Sequence, residues 1–260
     1  MHLRDKVVLI TGASDGIGAA CARAFRARGA RLALTARSRE KLEQVAGADG
    51  LAIDGDLLDP EVRRRAVEAT VDRYGRIDVL VNNAGVGMYA AFWKAEMEMV
   101  RRMFDLNLFA ALEMSQLAME HMRRQGGGTI VNVSSIAGKV PLPWFTLYSA
   151  SKYAVCAMTD AMRMELRKHG IHCMTVCPGY VKTGFQQHAL AGHPPDRLWR
   201  ARRFAITVEQ CAEALVRGVE GDRRTVVVPR TGWLLIWGRA IFPGLVDRQL
   251  MRIYEGLDMQ

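Results

Sequence analysis

At 260 residues, half of them hydrophobic, the chain can bury a large core, and α/β folds of this length are often one unit. Its formal charge of +9 is spread along the sequence, densest at Arg63-Arg64-Arg65 and Arg200-Ala201-Arg202-Arg203; no nucleic-acid-binding module accompanies it, which excludes that class of partner. The five cysteines (21, 156, 173, 177 and 211) have no cysteine or histidine set beside them for a metal, so they read as small buried hydrophobes of a reducing compartment.

The first apolar run, Val7-Val-Leu-Ile10, suits a buried parallel strand. It begins within a few residues of the N-terminus and leaves no room for a secretory signal, so a cytoplasmic location is expected. The run enters Thr11-Gly12-Ala13-Ser14-Asp15-Gly16-Ile17-Gly18 and then the alanine-rich helical stretch Ala19 to Arg28. Glycines at such a turn let the backbone approach a pyrophosphate, and the following helix aims free N–H groups at it. The spacing is Gly-x-x-x-Gly-x-Gly, not the commoner Gly-x-Gly-x-x-Gly.

Further strand-like runs fall at Arg31–Ala36, Leu51–Gly55, Ile77–Val81, Thr129–Ser134, Ile171–Cys177 and Thr225–Val228, with helical stretches between them. The alternation predicts a doubly wound, Rossmann-type α/β fold, one domain over residues 1–260 with about seven parallel strands and helices on both faces. After the second strand the chain reads Ala36-Arg37-Ser38. An acidic side chain at this strand end would bind the ribose hydroxyls of the non-phosphorylated cofactor. Here no carboxylate repels a phosphate, and the Arg37 guanidinium can pair bidentately with one.

Ser135 ends the fifth run; Tyr148 follows it by thirteen residues and Lys152 follows Tyr148 by four. Residues four apart share a helix face, so phenol and ammonium project together. A fixed cation beside the phenol is expected to lower its pKa from about 10. Strand ends in open parallel sheets are where such folds place ligands, so the Ser135 hydroxyl is placed to hold a substrate oxygen.

These stretches resemble the short-chain dehydrogenase/reductase family over most of the chain. Thr11 to Gly18 matches its TGxxxGxG loop and Asn82-Asn83-Ala84-Gly85 its NNAG motif; Asn107, Ser135, Tyr148 and Lys152 match its catalytic tetrad, and Pro178-Gly179 its PG turn. The resemblance implies an oxidoreductase that interconverts a ketone or aldehyde with an alcohol and needs no metal. Tyr148 would transfer the proton, Ser135 would stabilise the substrate oxygen, Lys152 would polarise Tyr148 and bind ribose hydroxyls, and Asn107 would hold a water linking Lys152 to solvent. Gly12, Ser14, Gly16, Ile17 and Gly18 would take the pyrophosphate, Asp56 and Leu57 the adenine, Asn83, Ala84 and Gly85 the ribose channel, and Pro178, Gly179, Val181 and Thr183 the nicotinamide. The alanine–arginine pattern at Arg37 is typical of NADP(H) users, while Asp15 stands where such members often carry a base. NADP(H) is therefore favoured, with an NAD(H)-linked alcohol dehydrogenase as the rival. A non-catalytic dinucleotide-binding protein and a membrane-surface scaffold are the readings outside enzymology.

The resemblance also implies a segment near 184–206 closing over the substrate and assembly as a homodimer or homotetramer, with Phe104, Leu108 and Leu112 as one apolar helix face. Trp144, Phe145, Leu147, Met88 and Tyr89 suggest a hydrophobic substrate, although a dimer contact or core packing explains them equally; His188 and His193 are read as loop residues. The C-terminal extension 232–260 opens with Gly232-Trp-Leu-Leu-Ile-Trp-Gly-Arg-Ala-Ile-Phe-Pro-Gly-Leu-Val246, apolar but too short to span a bilayer. Its tryptophans and nearby arginines suit either a peripheral membrane contact through 232–252 or a lid or subunit-interface helix.

Overall fold

The computed structural model describes residues 1–191 and 205–254. Seven strands form one parallel sheet: β1 (Val7–Thr11), β2 (Arg31–Ala36), β3 (Leu51–Asp54), β4 (Val79–Asn82), β5 (Gly128–Val133), β6 (Ile171–Pro178) and β7 (Thr225–Val228). Their order is β3-β2-β1-β4-β5-β6-β7, so the direction of winding reverses between β1 and β4. Such a reversal opens a crevice at the carboxyl ends of the strands.

The strands are mostly apolar because both faces are covered. All five residues of β1 are buried. Val8 and Ile10 join the cluster beneath α1 (Gly16–Arg26) and α7 (Val208–Glu220), with Phe25 and Leu215 as its large members. Leu9 faces the other way, against α3 (Pro60–Tyr74) and α5 (Ala110–Arg124), where Val62, Ala66, Met114 and Met122 close the second layer. Period-two alternation thus feeds two cores from one strand. The remaining helices are α2 (Arg39–Ala46), α4 (Met97–Phe104), α6 (Thr146–Leu166), α8 (Gly232–Ile241) and α9 (Pro243–Tyr254).

Helix ends follow the local sequence. Asp59 caps α3 by accepting from the Glu61 N–H at 2.9 Å, Pro60 opens it, and Gly75 closes it at φ +75°. The helix after the first loop starts at Gly16, three residues before the alanine-rich stretch, because Asp15 supplies the cap. The dense Arg63-Arg64-Arg65 group is absorbed locally: Arg63 pairs with Glu113 at 2.6 Å, Arg64 with Glu61 and Glu68, and Arg65 donates to the Asp54 carbonyl. All five cysteines are buried and free.

Asp78 ties β1 to β4 from below, accepting from the Val7 N–H at 2.9 Å and pairing with Arg76 at 2.6 Å and Lys6 at 3.3 Å. Burial pushes its carboxyl up, but the Arg76, Val7 and Lys6 contacts outweigh burial and hold it below the usual range. A depressed carboxylate stabilises the fold above its unfolded pKa and loses that contribution as pH falls through the folded value. Asp78→Asn is therefore expected to cost about 1–3 kcal/mol at neutral pH, with the difference from wild type closing in acid, read by urea unfolding at several pH values.

Candidate active site

Because every strand runs the same way, the Gly12–Gly18 loop, Arg37, Asp56, Asn83–Gly85, Ser135 and Pro178–Thr183 all leave the sheet at one edge, although they are spread from residue 12 to residue 183 of the sequence. The structure places the predicted site residues there together.

Thr11 organises the nucleotide side. Its hydroxyl accepts from the Asn83 and Ala84 N–H groups, each at 3.0 Å. The Asn83 amide donates back to the carbonyls of Thr11 at 3.0 Å and Gly12 at 3.1 Å. This side chain is committed to holding the glycine loop, which leaves the Asn83 backbone to line a channel. A Cβ on Gly12 would stand 2.9 Å from the Ala84 Cα, and one on Gly18 would collide with the Gly12 carbonyl. Across the loop, Gly16 faces Thr183, whose Cγ2 would lie 3.4 Å from an added Cβ. The α1 N-terminus carries no acidic residue in its first turn, and the N–H groups of that turn have no partner within the helix. Side-chain-free backbone beside a helix N-terminus fits a dinucleotide pyrophosphate.

Asp15 is exposed and its carboxylate accepts from the Gly16 N–H at 2.6 Å. Arg37 is exposed at the end of β2, while Arg39 beside it is held by Glu43 at 2.8 Å and Asp54 at 3.6 Å. Asp56 accepts from the Leu58 N–H at 3.0 Å, and the Leu57 carbonyl takes the Arg63 guanidinium. At the other end of the crevice Pro178 closes β6, Gly179 donates to the Val228 carbonyl at 2.6 Å, and Val181 bridges to Ile206.

Ser135, Tyr148 and Lys152, the groups expected to handle the proton, sit where β5 meets α6. Ser135 accepts from the Ala137 N–H at 3.1 Å, which leaves its own O–H for the Tyr148 phenol, to which it is hydrogen-bonded. Tyr148 is 7 % exposed and Lys152 4 %, one helical turn apart. Lys152 Nζ donates to the Val133 carbonyl at 3.1 Å and lies 5.8 Å from the centroid of the Tyr148 ring. This corrects the expectation of a lowered tyrosine pKa. Burial pushes the phenol up to about 12, only partly offset by the Ser135 hydroxyl, and the ammonium is turned to a backbone carbonyl. Burial also brings Lys152 down to about 8, with the Cys156 and Cys177 thiols countering it. At neutral pH the pair is thus neutral phenol and ammonium, the form that gives a proton to an alkoxide.

Asn107 lies in a π-helical turn, Asp105–Phe109, which interrupts the α4–α5 helix. Its amide donates to the Val86 carbonyl at 3.0 Å and the Ser151 hydroxyl at 3.2 Å and accepts from the Val86 N–H at 2.8 Å. Asn107 therefore braces the loop after β4 against the Tyr148 helix. A Cβ on Gly85 would stand 2.9 Å from Asn107 Oδ1 and 3.3 Å from Lys152 Nζ, so those groups converge there. The π turn also breaks the even spacing of Phe104, Leu108 and Leu112: Phe104 packs in the cluster around Tyr148, while the other two stand outside the core clusters. π turns inside helices recur at functional sites.

The surroundings of the Tyr148 ring are aromatic. Phe145 and Phe185 stand 5.7 and 5.9 Å from the Tyr148 ring, and Tyr89 meets Phe145 at 4.2 Å. Met88, Val86, Leu147 and Leu190 complete this cluster. Phe185, Ser151 and Val86 carry no signal in the sequence, whereas Thr11, a polar residue that ends an apolar strand and opens the glycine loop, does. Trp144 turns outward to Trp93 instead, with centroids 5.9 Å apart. His188 is exposed, and its ring bonds the Gly184 carbonyl at 2.8 Å. His193 and most of the expected closing segment lie outside the described residues. Among the described residues no three metal-ligating side chains come together.

Comparison with known proteins agrees with this geometry. The sequence model of the family described as short chain dehydrogenase matches residues 6–193. The chain is 35% identical to dehydrogenase/reductase SDR family member 7B of Danio rerio over 262 residues, 95% of this chain and 85% of that protein. Among solved structures, a short chain dehydrogenase from Burkholderia cenocepacia in complex with NADP superimposes with a TM-score of 0.82 at 28% identity, covering 96% of this chain and 99% of that one. A 3-ketoacyl-(acyl-carrier-protein) reductase from Brucella melitensis complexed with NADH gives 0.80 at 27% identity, over 87% of this chain and 97% of that one.

Proposed function

The chain belongs to the short-chain dehydrogenase family, and from that premise we propose that it is an NADP(H)-dependent reductase of hydrophobic ketones or aldehydes. That it is a nicotinamide-dependent oxidoreductase follows from its membership; the cofactor preference, the direction and the substrate are the proposal. The observation that carries it is the buried phenol–ammonium pair beside Ser135, packed against an aromatic cluster of Tyr89, Phe145 and Phe185.

Gly12, Ser14, Gly16, Ile17 and Gly18 hold the pyrophosphate in this reading, Asp56 and Leu57 the adenine, Asn83–Gly85 the ribose side, and Pro178, Gly179, Val181 and Thr183 the nicotinamide. The bound nicotinamide supplies hydride chemistry at the carbonyl carbon. Ser135 and Tyr148 hold the carbonyl oxygen, and as negative charge grows there Tyr148 gives up its phenolic proton. The Lys152 ammonium stabilises the phenolate left behind, and Asn107 keeps the β4 loop and α6 in register. The aromatic walls exclude water and select an apolar substrate.

NADP(H) is assigned on Arg37, an exposed guanidinium with no ion pair among the described residues, at the strand end where a ribose 2′-phosphate arrives. The NADP complex of the Burkholderia relative supports this, and the NADH complex of the Brucella one keeps NAD(H) as the rival. Titration with NADPH and NADH followed by nicotinamide fluorescence tests it. Arg37→Ser is expected to weaken NADPH binding about 10–100-fold and leave NADH within a few-fold. Tighter binding of NADH by the wild type would reassign the chain to NAD-linked alcohol oxidation. The proposal also takes in one domain over 1–260, a homodimer or homotetramer, and peripheral membrane contact through 232–252. No helix among the described residues is long and apolar enough to cross a membrane.

A further inference from the structure

α8 is apolar on both sides. Trp233 and Ile236 pack inward on Cys156, Cys177 and Val227. Leu234, Trp237 and Ile241 turn outward on the adjoining face, 70, 57 and 68 % exposed, with the Trp237 ring 5.5 Å from that of Trp233. A helix apolar all round is covered on all sides in its working state. Phe242 and Leu245 continue the exposed face into α9. Arg230, Arg248 and Arg252 surround it, all exposed and without a carboxylate partner among the described residues, whereas Arg239 is held by Asp247 at 3.1 Å.

This surface runs to the loop that leads into the Tyr148 helix. A groove of about 600 Å³ separates α9 from the loop before the Tyr148 helix, with Leu250 and Met251 on one wall and Pro141, Leu142 and Pro143 on the other. Trp144, the next residue of that loop, contacts Trp93, and Phe92 and Trp93 are themselves exposed. Phe145, one residue further, meets the ring of Tyr148. An exposed aromatic pair and an exposed apolar helix pair therefore flank one short loop that ends at the catalytic tyrosine.

We propose that this two-sided apolar rim seats the active-site mouth on an anionic phospholipid bilayer, and that the enzyme takes a carbonyl substrate dissolved in the lipid. It rests on the carbonyl-reductase reading for the substrate, though not for the docking. Charge complementarity selects the bilayer over a second copy of the chain. Apposing two copies through this face would crowd unpaired arginines against each other, while anionic headgroups neutralise them and the apolar side chains enter the acyl boundary.

The test is flotation of the full chain with vesicles of equimolar phosphatidylcholine and phosphatidylglycerol, beside vesicles of phosphatidylcholine alone. Binding is expected to the anionic vesicles, weakened by high salt, and about tenfold lower in Leu234→Asp/Trp237→Asp and in Phe92→Ser/Trp93→Ser. With NADPH, both double variants should reduce a short water-miscible ketone at the wild-type rate but a long-chain ketone carried in the vesicles about tenfold more slowly. Unchanged turnover on the short ketone also shows that the variants fold. Wild type that fails to float, or a wild-type dimer in light scattering that Leu234→Asp/Trp237→Asp splits, overturns the docking. Equal losses on both ketones overturn the delivery route. If the chain floats as expected but reduces neither ketone, the carbonyl-reductase reading fails while the docking stands.

Discussion

Tyr148→Phe is expected to lower reductive turnover by about 10³-fold while the chain still folds and binds its dinucleotide. In the proposed mechanism the phenol is the acid that meets the developing alkoxide, and a hydrogen atom in its place donates nothing. Burial fixes the size of the effect: the ring is enclosed by Phe145 and Phe185, which leaves water poorly placed to substitute as the acid. Phenylalanine fills the same volume, so the aromatic packing survives. The hydroxyl's partner, Ser135, keeps its bond from the Ala137 N–H. The check is single-turnover reduction alongside cofactor titration. Turnover close to wild type in the variant would remove Tyr148 from the mechanism.

Lys152→Met should be nearly as damaging, about 10²–10³-fold in kcat/KM with a rise in cofactor KM, yet its melting temperature should be no lower than wild type. The buried ammonium sits at about 8 against an ordinary 10.5, so in that window the unfolded chain holds a proton the folded chain has released. Stability therefore rises with pH across the window, and below it the fold carries the full cost of the buried charge, on the order of 3 kcal/mol. Methionine fills the space without that cost. Catalysis runs the other way: reductive kcat/KM of the wild type should be level below about pH 8 and fall above it as the ammonium deprotonates, while Tyr148, at about 12, keeps its proton. A variant that is both inactive and less stable would mean that Lys152 serves mainly as a structural brace.

These two residues also show how sequence and fold divided the information. The four-residue step from Tyr148 to Lys152 is local, so helix periodicity alone puts both on one face. The strand runs were legible for the same reason: Arg31–Ala36 and Thr225–Val228 coincide with β2 and β7. Other ends shifted by one or two residues, as at Ile77, where pairing with β1 and β5 begins only at Val79. What the phenol experiences was not legible. Its pKa depends on how completely Phe145, Phe185 and the β5 end enclose it, and on Lys152 finding the Val133 carbonyl, contacts made only after the sheet forms. Likewise Asn107 matched a motif, but its partners Val86 and Ser151 come from two other elements and a π turn that no periodicity predicts.

By itself the sequence determined the strand–helix alternation, the glycine loop, the order of the motifs and hence the family, because each is written in spacing along the chain. Tertiary structure alone decided which charges remain free and which apolar faces remain bare. Arg63 and Arg37 are both arginines near strand-end loops, yet one is buried against Glu113 and the other stands open. Trp233 and Trp237 belong to the same short apolar run, yet one is packed on Cys156 and Cys177 and the other faces outward. Pairing and burial are relations between distant segments, and they exist only once the chain has closed on itself.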